Sequence, residues 1–305
     1  MATCRLELMG LPDAAAYRRL ARGVLRRGVS LFSGLNIPNK KPSEPLLEWA
    51  EVLRQELPSL ELCVHYSLKH QRGKGDPAAA FEGFCQEAAA LGVARVMLVT
   101  GPRGPATDSL AVLGRFRGRH PAPGHLKIGI AFNACLPSEA AREAERERLV
   151  RKLRTKLVED VWLNCGSDPG LFSAGVSFAR STAEELAIPQ VDIFGSVLLP
   201  NEAQLLQMRQ RPWNGVHFSE EYLSSLEGMG RVSGEVVAAL RAGNAEPIVE
   251  SKVRNDDDLQ KLAELLAGAK REAPEAADEA ETTVVRPRLS RPRPSPELLA
   301  HGERA

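Results

Sequence analysis

No stretch of the 305-residue chain approaches the ~20 consecutive apolar residues a helix needs to cross a bilayer. An excess of either charge is also missing. Lys and Arg number 40 against 39 Asp and Glu, a formal net charge of +1, so nothing global points to nucleic acid or an anionic membrane surface. The five cysteines, Cys4, Cys63, Cys85, Cys135 and Cys165, include no pair with the short spacing of a zinc motif. An odd, scattered set of thiols fits a reducing compartment, and the expectation is a cytoplasmic protein. No Gly-x-Gly-x-x-Gly follows a strand-like segment, which argues against an open dinucleotide-binding sheet. Met1–Gly10 lacks the apolar core of a secretory signal. The Arg-rich stretch after it (Arg18, Arg19, Arg22, Arg26, Arg27) has the flavour of a mitochondrial presequence, but its place behind a strand makes it a first helix.

What is present is alternation. Apolar residues make up 43% of the chain, enough for a large core. Strand-like pieces at Arg5–Met9, Val29–Leu35, Leu60–Ser67, Arg95–Gly101, Lys127–Ala134, Asp160–Gly166, Asp192–Leu199 and Pro247–Val253 alternate with helical ones. The helices are expected at Ala14–Arg27, Leu46–Glu56, Ala78–Leu91, Ser109–Phe116, Ser138–Val158, Leu171–Glu185, Asn201–Gln210, Val232–Arg241 and Asp256–Ala267. Pro212–Gly230 reads as an irregular insertion with a short helix capped by Ser219. Eight such pairs predict a single (β/α)8 TIM-type barrel over residues 1–268. From Ala269 the chain turns acidic and alanine-rich, then Arg/Pro-rich around Arg286, Arg288, Arg291 and Arg293. Residues 269–305 are therefore expected to form a disordered tail, a candidate docking segment for a protein partner.

A strand of such a barrel is apolar on both faces, so each polar residue in it needs a reason, and near a carboxyl end that reason is usually the active site. The period of two places Leu6 and Leu8 against helices and Glu7 toward the interior. A buried carboxylate there is either used or paired: Glu7 is a candidate functional acid, or it forms an Arg5–Glu7 or Lys252–Glu7 pair that only closes the barrel. In the third strand Cys63, His65 and Ser67 share a face; His65 either meets a ligand or only bonds a neighbouring strand. The loop after it, with Lys69, His70, Gln71, Arg72 and Lys74, suits an anion or is simply solvated. Thr100-Gly101-Pro102-Arg103-Gly104 offers backbone N–H groups. Asn164 suits an amide-like ring edge, and Glu250 and Lys252 share a face in the eighth strand, as a substrate-orienting pair or a mutual salt bridge. Zinc on His65, Cys135 and Cys165 is disfavoured, because Cys165 has the opposite parity to Asn164.

The order of these segments resembles the flavin-binding barrel of methylenetetrahydrofolate reductase. The resemblance runs from Arg5 to Leu266. It rests on Val64-His65-Tyr66-Ser67, on Ala89-Ala90-Leu91-Gly92-Val93-Ala94-Arg95-Val96-Met97-Leu98-Val99-Thr100-Gly101, on Ile128-Gly129-Ile130-Ala131-Phe132-Asn133, and on Val161-Trp162-Leu163-Asn164. It implies an FAD-dependent oxidoreductase acting on a folate-like or other planar heterocycle, with NAD(P)H as electron donor. Glu7 would take the place of the acid that protonates the folate. His65, Ser67, Thr100, Gly101, Phe132 and Asn133 would lie about the flavin, and Asn164, Glu250 and Lys252 about the substrate. Thr100 and Pro102 stand where the family has an arginine and an aspartate. These departures keep open an alternative, a diverged and inactive barrel that serves as a binding or regulatory partner.

Overall fold

The computed structural model describes residues 3–71, 75–100, 108–117, 123–188, 190–213 and 215–268. Eight parallel strands close on themselves in chain order: β1 (Cys4–Glu7), β2 (Phe32–Ile37), β3 (Glu61–Ser67), β4 (Arg95–Val99), β5 (Lys127–Phe132), β6 (Val158–Leu163), β7 (Asp192–Val197) and β8 (Glu246–Val249). Around them lie α1 (Ala14–Leu20), α2 (Leu46–Glu56), α3 (Pro77–Ala90), α4 (Ser109–Arg115), α5 (Glu139–Leu153), α6 (Pro169–Glu185), α7 (Glu202–Gln210), α8 (Glu220–Ser224), α9 (Leu226–Ala242) and α10 (Asp256–Gly268). The expected (β/α)8 barrel is the fold found. Among the described residues no helix is long and apolar enough to cross a membrane. The tail expected over residues 269–305 lies outside the described residues.

Most helices begin where a short polar side chain can accept a backbone N–H left free by the first turn. Asp13, Asp76, Asp108, Ser138, Asp168, Asn201, Ser219 and Ser225 do this for α1 and α3–α9. Three boundaries differ from expectation. The helix expected to reach Val158 ends at Leu153, because Lys156 turns to φ 64° and Val158 opens β6. The segment before β2, Val29–Leu31, is one 3-10 turn. The helix expected from Val232 starts at Leu226, because Ser225 caps it by accepting from Gly228 N.

Alternation along the strands sorts two cores. Leu6, Leu35, Val64, Val96, Leu98, Ile128, Ile130, Phe132, Val161 and Leu163 belong to the large apolar cluster of strands and helices. Inside the barrel, Cys63, Trp162, Phe194 and Ile248 form one layer with Met97 against it, and Trp162 stacks on Phe194 with ring centroids 4.0 Å apart. Below that layer, at the amino ends of the strands, the filling is ionic. Arg5 reaches Glu61 at 2.6 Å, and Arg95 meets Glu61, Asp160 and Asp192. Asp160 is 0% exposed.

Gly34 makes this layer possible. It is level with both Arg5 and Glu61 in the sheet register, and a Cβ there would stand 2.6 Å from the Arg5 guanidinium carbon and 2.6 Å from the Glu61 carbonyl oxygen. The carbonyl belongs to the strand and cannot swing aside. Gly34→Ala is expected to lower stability by about 1–3 kcal/mol, the usual cost of overpacking, read as a drop in the urea unfolding midpoint; an unchanged midpoint would show that the layer has slack.

Candidate functional site

Above the aromatic layer, at the carboxyl ends of the strands, polar side chains return. Glu7 ends β1 and is buried. The cation facing it is Lys40, with Nζ 3.0 Å from Oε1. The two partners expected for Glu7 are elsewhere: Arg5 is committed to Glu61 and Asn36, and Lys252 stands exposed on the rim. Lys40 lies in the turn after β2. Glu44 pins that turn by accepting the backbone N–H groups of Lys40, at 2.5 Å, and Lys41, at 2.9 Å. Asn39 Oδ1 ties it to β3 by accepting from Ser67 N at 3.1 Å. Burial works against the Lys40 ammonium, but the charges of Glu7 and Glu250 outweigh it and hold its pKa above the ordinary lysine value.

His65 lies beside this pair. Its Nε2 is 3.9 Å from Glu7 Oε2 and 3.3 Å from Asn36 Nδ2. Asn36 Oδ1 accepts from Arg5 Nε at 3.0 Å, so its amide N–H faces His65 and the ring nitrogen there must be the acceptor. The proton then sits on Nδ1. Burial pushes the His65 pKa down to about 4, so the ring is neutral at physiological pH. His65 thus both bonds a neighbouring strand and lines the mouth.

Across the mouth, Glu250 follows β8 and accepts from Ser196 Oγ at 2.5 Å. Burial first, and then the charge of Glu7, push its pKa up to about 7; Lys40 and the Ser196 hydroxyl pull the other way. The mouth thus holds two carboxylates that feel one another's charge, and a carboxyl raised to about 7 is able to hold or release a proton near neutrality. Asn164, half-buried after β6, shares the parity of Trp162. Ser67 is buried, and its hydroxyl has no partner among the described residues.

The other residues assigned by resemblance do not join this group. Phe132 turns outward, packing on Gly175 and Phe178 of α6. Thr100 faces Ser109 at 2.7 Å and accepts from Arg148. Asn133 is consumed by the chain itself: Nδ2 donates to Gly215 O at 2.7 Å and Oδ1 accepts from Cys135 N at 3.2 Å. Gly101 to Gly104, with Arg72 and Lys74, lie outside the described residues. No ion pair joins Glu250 to Lys252 among the described residues, and none of their His, Cys, Asp and Glu side chains form a group able to hold a metal. Cys165 sits in the outer cluster with Leu198 and Tyr222, as its parity required.

Three site residues escaped the sequence reading: Lys40, Asn36 and Ser196. The signal for two of them was Asn36-Ile37-Pro38-Asn39-Lys40, where amides and a lysine cluster about a strand's carboxyl end. The insertion after α7 also gains a role. Asn133 holds Gly215, Gly166 pairs with His217 as a β-bridge, and Ser219 N donates to Ser167 Oγ at 2.6 Å. The insertion is therefore strapped across the ends of β5 and β6, and its Trp213, Val216 and Phe218 pack, partly buried, on the outer cluster of Cys165, Leu198 and Leu205.

No protein-family model matches the chain, and no curated protein does. Solved structures do. An uncharacterized protein from Clostridium thermocellum that binds two copies of 5-methyl-5,6,7,8-tetrahydrofolic acid superposes with a TM-score of 0.58 at 11% identity, over 88% of this chain and 94% of that one. The coenzyme F420 dependent tetrahydromethanopterin reductase from Methanopyrus kandleri does so with a TM-score of 0.50 at 10% identity, over 88% and 97%. The likeness is one of fold. The chemistry has to be argued from the mouth itself.

Proposed function

We propose that the barrel mouth binds a small planar heterocycle of the reduced-pterin class and that Glu7 exchanges a proton with it. The observation that carries this reading is the Glu7 carboxylate, buried at the end of β1, paired with Lys40 and opposed by Glu250. A ring edge with adjacent N–H and NH2 groups matches a carboxylate as a two-point donor. Asn164 adds an amide that both donates and accepts. Both superposed barrels named above handle reduced, folate- or pterin-type ligands, which supports the same class here.

A flavin-dependent reduction of such a ligand is the second reading, favoured by the buried, unpartnered Ser67 hydroxyl beside His65. The described residues do not fit the cofactor well. Phe132 and Thr100 face the helix layer, and the Asn133 amide is already satisfied on both sides. No step is therefore routed through a flavin. An absorbance spectrum of the purified protein separates the readings: a stoichiometric flavin would put the redox reading first.

The binding reading is tested by calorimetric titration with tetrahydropterin and 5-methyltetrahydrofolate. Glu7→Gln is expected to weaken binding by about 10- to 100-fold, the worth of one charge-assisted contact in a buried site, with the fold intact by circular dichroism. Equal affinity in wild type and variant would remove Glu7 from the site.

A further inference from the structure

A second cleft, of about 140 Å³, opens beside the mouth between the segments that follow β7 and β8. Met9, Leu199 and Trp213 give it an apolar wall, while Gln204, Ser251 and Lys252 give it a polar one. Its frame is fixed. Ser251 Oγ accepts from Leu199 N at 2.9 Å and donates to Gln204 Oε1 at 3.0 Å, and Gln204 Nε2 donates to the Glu250 carbonyl at 3.3 Å. Neither Trp213 nor Lys252 serves the Glu7 pair or the barrel core.

The rim of this cleft carries two cations, Lys252 and Arg254, against one carboxylate, Asp258. Gly10 turns at φ +67°, and a Cβ placed on it would lie 3.8 Å from Lys252 Nζ and 3.9 Å from Arg254 Nη2. Two cationic side chains thus converge over one bare turn. Both are exposed, and no ion pair engages either side chain among the described residues. The nearby Asp258 lines the cleft, but one of its oxygens accepts from the Arg254 backbone N–H at 2.8 Å. In barrels of this architecture the loops after the seventh and eighth strands are a recurrent seat for anions. Two cations engaged in no ion pair among the described residues, beside an aromatic wall, suit an anion carried on an apolar ring.

We infer that this cleft is a binding site for an aryl anion, the ring lying against Trp213 and Met9 and the phosphate or carboxylate between Lys252 and Arg254. Lys252 is one of the residues the resemblance placed about the substrate, but the site uses neither Glu7, Asn164 nor the Glu250 carboxylate, so it stands or falls separately from the reading of the mouth. Lys252 supplies a mobile point charge and Arg254 a planar fork, so a tetrahedral phosphate is accommodated as readily as a carboxylate. Gly10 matters twice: its left-handed backbone makes the turn, and its missing side chain leaves room for the anion.

The test uses phenyl phosphate, benzoate and inorganic phosphate as probes with the full-length protein. Of the three tryptophans, Trp49 and Trp162 are each 3% exposed, while Trp213 is only half-buried. Phenyl phosphate or benzoate is therefore expected to change the emission of Trp213, and the change should vanish in Trp213→Leu. Calorimetry should show binding that weakens with salt, and the double variant Lys252→Ala/Arg254→Ala should lose about tenfold or more in affinity. That variant touches only exposed side chains, so its thermal midpoint should match wild type. Whichever aryl probe binds more tightly names the source of the charge. Inorganic phosphate should bind more weakly than phenyl phosphate, because it leaves the apolar wall uncovered. The inference is overturned if no probe binds at millimolar concentration, if the double variant binds equally well, or if the signal persists in Trp213→Leu.

Discussion

Arg95→Met is expected to cost about 3–5 kcal/mol of stability near pH 8, the range found when one partner of a buried ion pair is removed, and about 1 kcal/mol less near pH 6. Arg95 bonds Glu61, Asp160 and Asp192 at the amino end of the barrel. After the substitution Glu61 keeps Arg5 at 2.6 Å and Asp192 keeps Lys127 at 2.8 Å. Asp160 loses its direct ion-pair partner and keeps only the more distant charges of Lys127 and Arg5, and its Oδ2 has no partner among the described residues. Burial pushes the Asp160 pKa up to about 7 even with Arg95 opposing it. A carboxyl raised in the folded state costs stability as pH climbs from its unfolded value to its folded one, and the cost disappears at low pH, where folded and unfolded chains both hold the proton. Losing the guanidinium raises Asp160 further, so wild type and variant lose stability in parallel up to about pH 7 and the variant's deficit grows only above it, by about 1.4 kcal/mol per pH unit, over a window of about pH 5 to 9. Urea unfolding across that range measures it. A deficit that stays constant with pH would exonerate Asp160. Adding Asp160→Asn to Arg95→Met should recover much of the loss near pH 8, since contacting residues do not contribute additively.

This ionic layer also marks how far the sequence could be read. The eight strands were legible because period-two alternation and strand-to-helix spacing do not depend on tertiary context. Parity placed Glu7 inward and Cys165 outward, and both lie so. Parity gives a face but not a height, however. Strands tilt and stagger around a closed barrel, so the residue level with Arg5 on the next strand is Gly34, and Glu61 lies level beyond it. With no side chain on Gly34, Arg5 crosses to Glu61 instead of turning to Glu7. The true partner of Glu7, Lys40, sits in a loop whose conformation depends on Glu44 and Asn39, a set of contacts that no local pattern announces. Phe132 is the opposite case. It shares parity with Ile128 and Ile130, so alternation alone places it outward; only the resemblance drew it toward a cofactor. Thr100 follows the same rule one position beyond Val99.

Glu250→Gln is expected to stabilise the protein near pH 8 by up to about 3 kcal/mol and to change little near pH 4, from about 1.4 kcal/mol for each unit of pKa displacement. In the unfolded chain this carboxyl titrates near 4.5; in the folded one burial and the Glu7 charge push it up to about 7. Below the lower value both states are protonated and nothing is lost. Between the two, the unfolded chain releases a proton that the folded chain retains, so stability falls as pH rises. Above about 7 the folded protein bears the full cost of a buried second carboxylate. A glutamine keeps an oxygen to accept from Ser196 Oγ and removes the charge. Denaturation of wild type and variant near pH 4, 6 and 8 decides the matter: curves that diverge as pH rises identify Glu250 as the titrating group, and parallel curves reject it. The same substitution should weaken binding of a protonated or N–H-rich heterocycle, because the strained negative pair is what such a ligand relieves. A protein that keeps Glu250 opposite Glu7 sacrifices stability near neutral pH at the carboxyl end of its strands. Asp160 carries a similar cost at the amino end, but there Arg95 opposes it, whereas at the mouth two carboxylates face one lysine.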